Sequence, residues 1–241
     1  MIVSARSDIG LIRKINEDGY YWHECRGGVF AAVCDGMGGA AGGEIASSMT
    51  LDAVKDILTE GLSDSLSENE IRDLMTRAVE SANEDLLKAQ IDNPTLRGMG
   101  TTIVMAYVTR DLAYIMHMGD SRAYLSSDKE MHRLTKDHSY VQDLIDSGAM
   151  TEAEAEESPY KNIITRAVGT DRQVYPSFGM FDVVPGDMII LCSDGLTNYV
   201  GEDKIFSLSR SVDQPADILA QAALSGGGGD NVTVVTLKLE E

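Results

Sequence analysis

Apolar residues in this 241-residue chain recur with two periods. Short runs rich in Val, Ile, Ala and Tyr, bounded by polar turns, predict strands over residues 2–6, 20–25, 29–34, 101–109, 113–118, 123–126, 174–183, 188–192 and 232–239. Several are separated by only a few polar residues, as in antiparallel hairpins. Between the third and fourth runs the period becomes helical. Over 43–59, Ile45, Met49, Ala53, Val54, Ile57 and Leu58 share a face. The capping box Ser67-Glu68-Asn69-Glu70 opens a second helix, striped by Ile71, Leu74, Met75, Ala78, Val79, Ala82 and Leu86. Shorter helices are expected at 139–147, from the capping box Thr151-Glu152-Ala153-Glu154, over 201–211 and over 215–224, the last with Asp213 as its cap. Strands and helices do not alternate strictly. The expected class is therefore α+β, with one-sided helices outside antiparallel sheets.

Several acids break this pattern at one kind of place. The run FAAVC ends at Asp35, AYIMHMG at Asp120 and MIILCS at Asp194. Asp230 opens the run VTVVTLKL, and Asn16-Glu17-Asp18 opens YYWHEC. A carboxylate where a buried strand meets a loop must find a partner or take a proton. Strand ends converge at a sheet edge, so these acids can meet, and divalent cations turn their mutual repulsion into attraction. The candidate donors are oxygens, and no His or Cys group has zinc-like spacing, which favours Mg²⁺ or Mn²⁺. Asp35-Gly36, Gly119-Asp120, Asp194-Gly195 and Gly229-Asp230 each pair an acid with a glycine. Taken singly, any of these acids reads equally well as a turn or cap residue.

Gly36-Met37-Gly38-Gly39-Ala40-Ala41 also matches a dinucleotide-binding fingerprint. Its context fails: Asp56 lies inside the helical pattern, and a second helix follows where a βαβ unit needs a strand. A cysteine phosphatase is excluded because no cysteine has an arginine six positions later. With 20 Lys and Arg against 39 Asp and Glu, the formal charge is −19, which disfavours nucleic acid and anionic membranes as partners. No apolar run reaches the ~20 residues of a membrane span, and the N-terminal stretch lacks signal-peptide regions. Three sparse cysteines, Cys25, Cys34 and Cys192, suit a reducing cytoplasm.

Seven segments occur in order: GLIRKINED at 10–18, DGMGG at 35–39, MGTT at 99–102, GDSR at 119–122, LTKDHS at 134–139, SDGL at 193–196 and GDNVT at 229–233. Together they resemble the PP2C-like (PPM) family of metal-dependent protein serine/threonine phosphatases in its compact bacterial form, from about residue 1 to 239. The resemblance implies an α-β-β-α sandwich of two antiparallel sheets flanked by helices. It implies a single domain over 1–241 with a variable flap at about 139–168. It also implies two Mn²⁺ or Mg²⁺ ions, with Asp35 bridging both, the Gly36 carbonyl on one, and Asp194 and Asp230 on the other. Glu17 and Asp18 would hold metal-bound waters, and Asp120 with Asp194 would serve a third ion. A water acidified by the metals would attack phosphorus directly, Arg13 would grip the phosphate oxygens, and Arg13, Asp35, Asp194 and Asp230 would carry the catalysis. Expected partners are phosphorylated proteins and a bacterial Ser/Thr kinase whose action the enzyme opposes, with the protein a cytoplasmic monomer. Met37 stands where many members carry His, and Ala40 where some bacterial relatives do. His117 is expected to be a strand residue and His138 an anchor for the segment after it. Rival readings are a catalytically silent binding module and a phosphatase dedicated to one phosphoserine regulator.

Overall fold

The computed structural model describes residues 1–38 and 42–240. Positions 39–41 of the glycine-rich stretch, Ala40 among them, lie outside the described residues. Eleven strands are found among the described residues: β1 (Ile2–Asp8), β2 (Asp18–Cys25), β3 (Gly28–Met37), β4 (Gly100–Thr101), β5 (Ile103–Val108), β6 (Leu112–Met118), β7 (Arg122–Ser126), β8 (Met131–Arg133), β9 (Ser177–Asp182), β10 (Met188–Cys192) and β11 (Val232–Lys238). The helices are α1 (Gly42–Gly61), α2 (Glu68–Asp92), α3 (Tyr140–Asp146), α4 (Glu152–Glu156), α5 (Asp194–Thr197), α6 (Glu202–Ser209) and α7 (Ala216–Ser225). One sheet runs β1-β11-β10-β7-β8. The other runs β2-β3-β5-β6-β9, with β4 paired to β3. All strand pairs are antiparallel.

Side-chain alternation divides the interior into three apolar layers. In β3, Phe30, Ala32 and Cys34 face α1 and α2, together with Met105 and Tyr107 of β5 and with Val54, Leu58, Met75 and Val79 of the helices. Val29, Ala31 and Val33 of the same strand face the other sheet and meet Ile189, Leu191, Val235 and Leu237. Behind that second sheet, Ile190, Cys192 and Val234 pack on Leu196, Ile205, Leu219 and Ala223 of α5, α6 and α7. β3 and β10 are thus covered on both faces, which is why their sequences read as unbroken apolar runs. The α+β sandwich expected from the sequence is the architecture found.

The boundaries differ at informative places. The single strand expected over 101–109 is two, because the Asp35 amide donates to the Thr102 side-chain oxygen at 3.0 Å and the ladder lapses for that one pair. β3 runs past Cys34 to Met37 because Gly36 and Met37 pair with Thr101 and Gly100. Asp213 does not cap α7. Its carboxylate takes the Lys238 ammonium at 2.5 Å, and Pro215 stands at the cap. The boxes at Ser67 and Thr151 form as expected, each with both reciprocal bonds.

Candidate metal centre

The layer between the sheets is aliphatic in its middle and polar at one edge. Along β3 the residues facing that layer are Val29, Ala31 and Val33, and the next in phase is Asp35. Asp18 is its direct cross-strand partner on β2. From the opposite sheet, Ser193 follows Ile189 and Leu191 in phase, and Thr233 precedes Val235 and Leu237. Ser193 donates to Asp18 Oδ2 at 2.7 Å, and its Oγ accepts the Thr233 amide at 3.0 Å. Strand period alone therefore brings acids from one sheet against hydroxyls from the other.

Asp194, the next residue after Ser193, opens α5. Asn198, one turn on, donates to its Oδ2 at 2.9 Å. Asp230 caps the entry to β11, accepting the Asn231 amide at 2.8 Å. Asp120 sits in the β6–β7 turn. That turn is possible because Gly119 has φ 111°, and a Cβ there would lie 2.7 Å from Thr102 Cβ. Gly36 permits another close approach: a Cβ on it would stand 2.0 Å from the Gly43 carbonyl oxygen at the start of α1. Its amide donates to the Glu17 carbonyl at 3.0 Å, while the Glu17 carboxylate reaches over Gly43.

Electrostatics show that the acids feel one another. Burial raises the Asp35 pKa well above the ordinary carboxylate range, and Asp18, Asp194, Asp120 and Asp230 add to the rise. Burial also raises Asp194, with Asp230 adding; a hydrogen bond shared with Asp35 works the other way. Asp18 and Asp120 are each pushed up to about 7, first by burial, then by Asp194 among other acids; hydrogen bonds from Ser193 and Thr233 partly offset the rise at Asp18. Asp18 Oδ1 and Asp120 Oδ1 are buried with no hydrogen-bond partner. Two nearby arginines are already engaged. Arg13 Nη2 donates to Asp230 at 2.8 Å, and Arg122 makes a forked contact with Asp137, the closest bond at 2.7 Å.

Orphaned oxygens, raised proton affinities and an all-oxygen donor set fit hard divalent cations. As the side chains stand, no three His, Cys, Asp or Glu among the described residues close into a ligand shell. Asp230 is turned to Arg13.

Asn231 has no role in the sequence reading. Its side-chain oxygen accepts the Glu17 amide at 2.9 Å, and its amide nitrogen donates to the carbonyls of Ile9 (2.9 Å) and Ile15 (3.0 Å). One side chain thus fixes the loop bearing Arg13, Glu17 and Asp18. Asn231→Ala is expected to lower stability by about 1–3 kcal/mol, because it leaves three part-buried backbone groups unpaired. It should also loosen Arg13. Urea titration measures the first effect, and a raised KM for a phosphorylated substrate measures the second.

Both histidines behind this edge are structural. His138 Nδ1 accepts the Gly119 amide at 3.1 Å, so its Nε2–H is the donor to Ser177 Oγ at 2.9 Å. His117 Nε2 meets the Lys136 carbonyl at 2.8 Å, and the two rings stack at 4.6 Å. Burial, the neighbouring ring and Arg166 push His138 down to about 4. His138 anchors the Asp120 turn as well as the segment after it, through a bond from the Thr165 amide to its carbonyl.

The chain belongs to the protein phosphatase 2C family: the family model described as "Protein phosphatase 2C" matches residues 13–225. Within that family it is similar to bacterial serine/threonine phosphatases. It is 38% identical over 235 residues to "Serine/threonine protein phosphatase PstP" of Mycobacterium tuberculosis, a match covering 96% of this chain and 44% of that protein. The chain therefore spans less than half the length of that relative. It is 34% identical over 244 residues to "Serine/threonine phosphatase stp" of Listeria monocytogenes, covering 97% of this chain and 94% of that one. A crystal structure of the PstP catalytic domain in complex with two manganese ions superposes with a TM-score of 0.86 at 35% identity, covering 100% of this chain and 98% of that chain.

Proposed function

We propose that this chain is a phosphatase that depends on divalent cations and hydrolyses phosphoserine and phosphothreonine in proteins. The observation carrying this reading is the placement of Asp35 at the polar edge between the sheets, with Asp18, Asp120, Asp194 and Asp230 acting on it. Asp35, the Gly36 carbonyl, Asp194 and Asp230 would hold two Mn²⁺ or Mg²⁺ ions, and Asp120 with Asp194 would hold a third. Glu17 and Asp18 would orient the waters of these ions. When bound, such ions supply Lewis-acid charge that neutralises phosphate oxygens and lowers the pKa of water.

The chain's own residues do the rest. Arg13 is 48% exposed at the mouth of the site, and Asp230 holds its Nη2. The remaining edges of its guanidinium fork can take phosphate oxygens and offset the repulsion a −19 protein exerts on an anion. Ser193 holds Asp18, Asn198 holds Asp194, and Asn231 holds the Arg13 loop, so the donors are oriented in advance. Neither histidine offers a proton to a leaving alkoxide, because each is engaged behind the Gly119 turn. Met37 carries none either.

The whole chain would act as one unit, with residues 139–168 as its flap. Its substrates would be the products of a Ser/Thr kinase, and the protein would work as a monomer in the cytoplasm. No helix among the described residues is long and apolar enough to cross a membrane. The test is turnover of p-nitrophenyl phosphate and of a phosphothreonine peptide with Mn²⁺ and with EDTA. Turnover should fall at least ~100-fold in EDTA. A well-folded protein with no metal-dependent turnover would instead be a binding module of the same fold.

A further inference from the structure

Beside the acidic edge lies an open cleft of about 680 Å³ with the opposite charge. Arg166, Arg172, Gln173 and Tyr175 line it, Met118 borders it, and the acid on its lining is Asp171. Neither arginine forms a salt bridge among the described residues. Arg166 makes only a long contact, 3.5 Å, to the Tyr175 carbonyl, and the Tyr175 side chain stands 65% exposed. Unpaired arginines are uncommon company here. The neighbouring helices α3 and α4 carry Asp143, Asp146, Glu152, Glu154 and Glu156, and no Lys or Arg.

The cleft is joined to the candidate metal centre through the chain. Met118 directly precedes Gly119-Asp120. Val168, two residues beyond Arg166, pairs with Thr101, which in turn pairs with Gly36. Arg166 is also near enough to His117 and His138 to lower the pKa of both. A polypeptide with a phosphorylated side chain at Asp35 could therefore lay adjoining residues across the two arginines. Arginine forks pair well with carboxylates, and exposed pairs of this kind select partners more than they add affinity.

We propose that this cleft, through Arg166 and Arg172, receives acidic side chains adjoining the phosphorylated residue of the substrate, so that the protein favours phosphosites flanked by Asp or Glu. This rests on the phosphatase reading above and names its substrate class. The test uses two fluorescein-labelled peptides carrying a phosphonate mimic of phosphoserine, identical except for Glu or Gln in the flanks. Affinities are measured by anisotropy with Mn²⁺ present. The Glu peptide should bind wild type about tenfold more tightly at low salt, roughly 1.4 kcal/mol. The ratio should shrink as salt rises. In Arg166→Gln/Arg172→Gln it should fall to about two or less. Equal affinity of wild type for both peptides, or an unchanged ratio in the double variant, overturns the proposal. Metal-dependent turnover of p-nitrophenyl phosphate, which has no flanking residues, judges the phosphatase reading separately.

Discussion

Asp194→Ala is expected to reduce Mn²⁺-dependent turnover of p-nitrophenyl phosphate by at least ~100-fold, about 2.7 kcal/mol in the barrier. Asp194 is linked electrostatically to each of the other four aspartates at the edge. Its charge raises the proton affinity of Asp35, Asp18 and Asp120, and Asn198 holds its carboxylate. Removing it takes away a donor that would serve both the main pair of ions and the third. The change should leave the fold intact, because Asp194 opens a four-residue helix whose neighbours Gly195 and Leu196 keep their packing. Circular dichroism checks this. Turnover within tenfold of wild type in a well-folded variant would remove Asp194 from the machinery.

The second large effect is on stability, and its sign is set by the raised proton affinities. Asp18 and Asp120 titrate near 7 in the folded chain against an ordinary value of 3.8. The folded state therefore binds more protons than the unfolded one between about pH 4 and pH 7. The contribution of these groups is favourable at the acid end of that window and is lost as pH rises through it. In EDTA at pH 8, Asp18→Asn should be more stable than wild type by on the order of 2 kcal/mol, or ~4–8 °C in Tm. The amide keeps an oxygen for Ser193 to bond, so packing is preserved. Mn²⁺ should then raise the Tm of wild type more than that of the variant. Differential scanning fluorimetry across pH, with and without Mn²⁺, reads all of these. A variant less stable than wild type in EDTA at every pH would show that the Asp18 charge is not the burden described.

The acids were legible because each ends or opens an apolar run, a position where a carboxylate has to be explained. Their meeting was less so. Asp18 and Asp35 lie in register on neighbouring strands, but Asp194 and Asp230 belong to the other sheet. The pairing of β10 with β11 sets Asp194 near Asp230, and the packing of the two sheets brings the four together. Arg13 was expected to be free for phosphate and is found on Asp230, a choice set by the loop that Asn231 ties down. Asn231 itself left no local trace, since its partners lie more than 210 residues away. The break at Thr102 was equally hidden: TTIVMAYV is uniformly strand-forming, and the interruption comes from its hydroxyl accepting the amide of a distant residue, Asp35. The four-residue α5 contains a glycine and is too short to show a period.

Strand β11 is last in the chain yet lies between β1 and β10 in its sheet. Ile2 pairs with Lys238 at one end and Asp8 with Val232 at the other, so closure joins the two extremes of the sequence. Contacts of such separation form slowly, after the entropy of a very long loop has been overcome. A nascent chain emerging from the ribosome would hold Arg13, Asp18 and Asp35 early, but its central strand and Asp230 would come late. Ribosome-bound fragments ending before residue 230 should therefore be hydrolytically silent and open to proteases between the sheets.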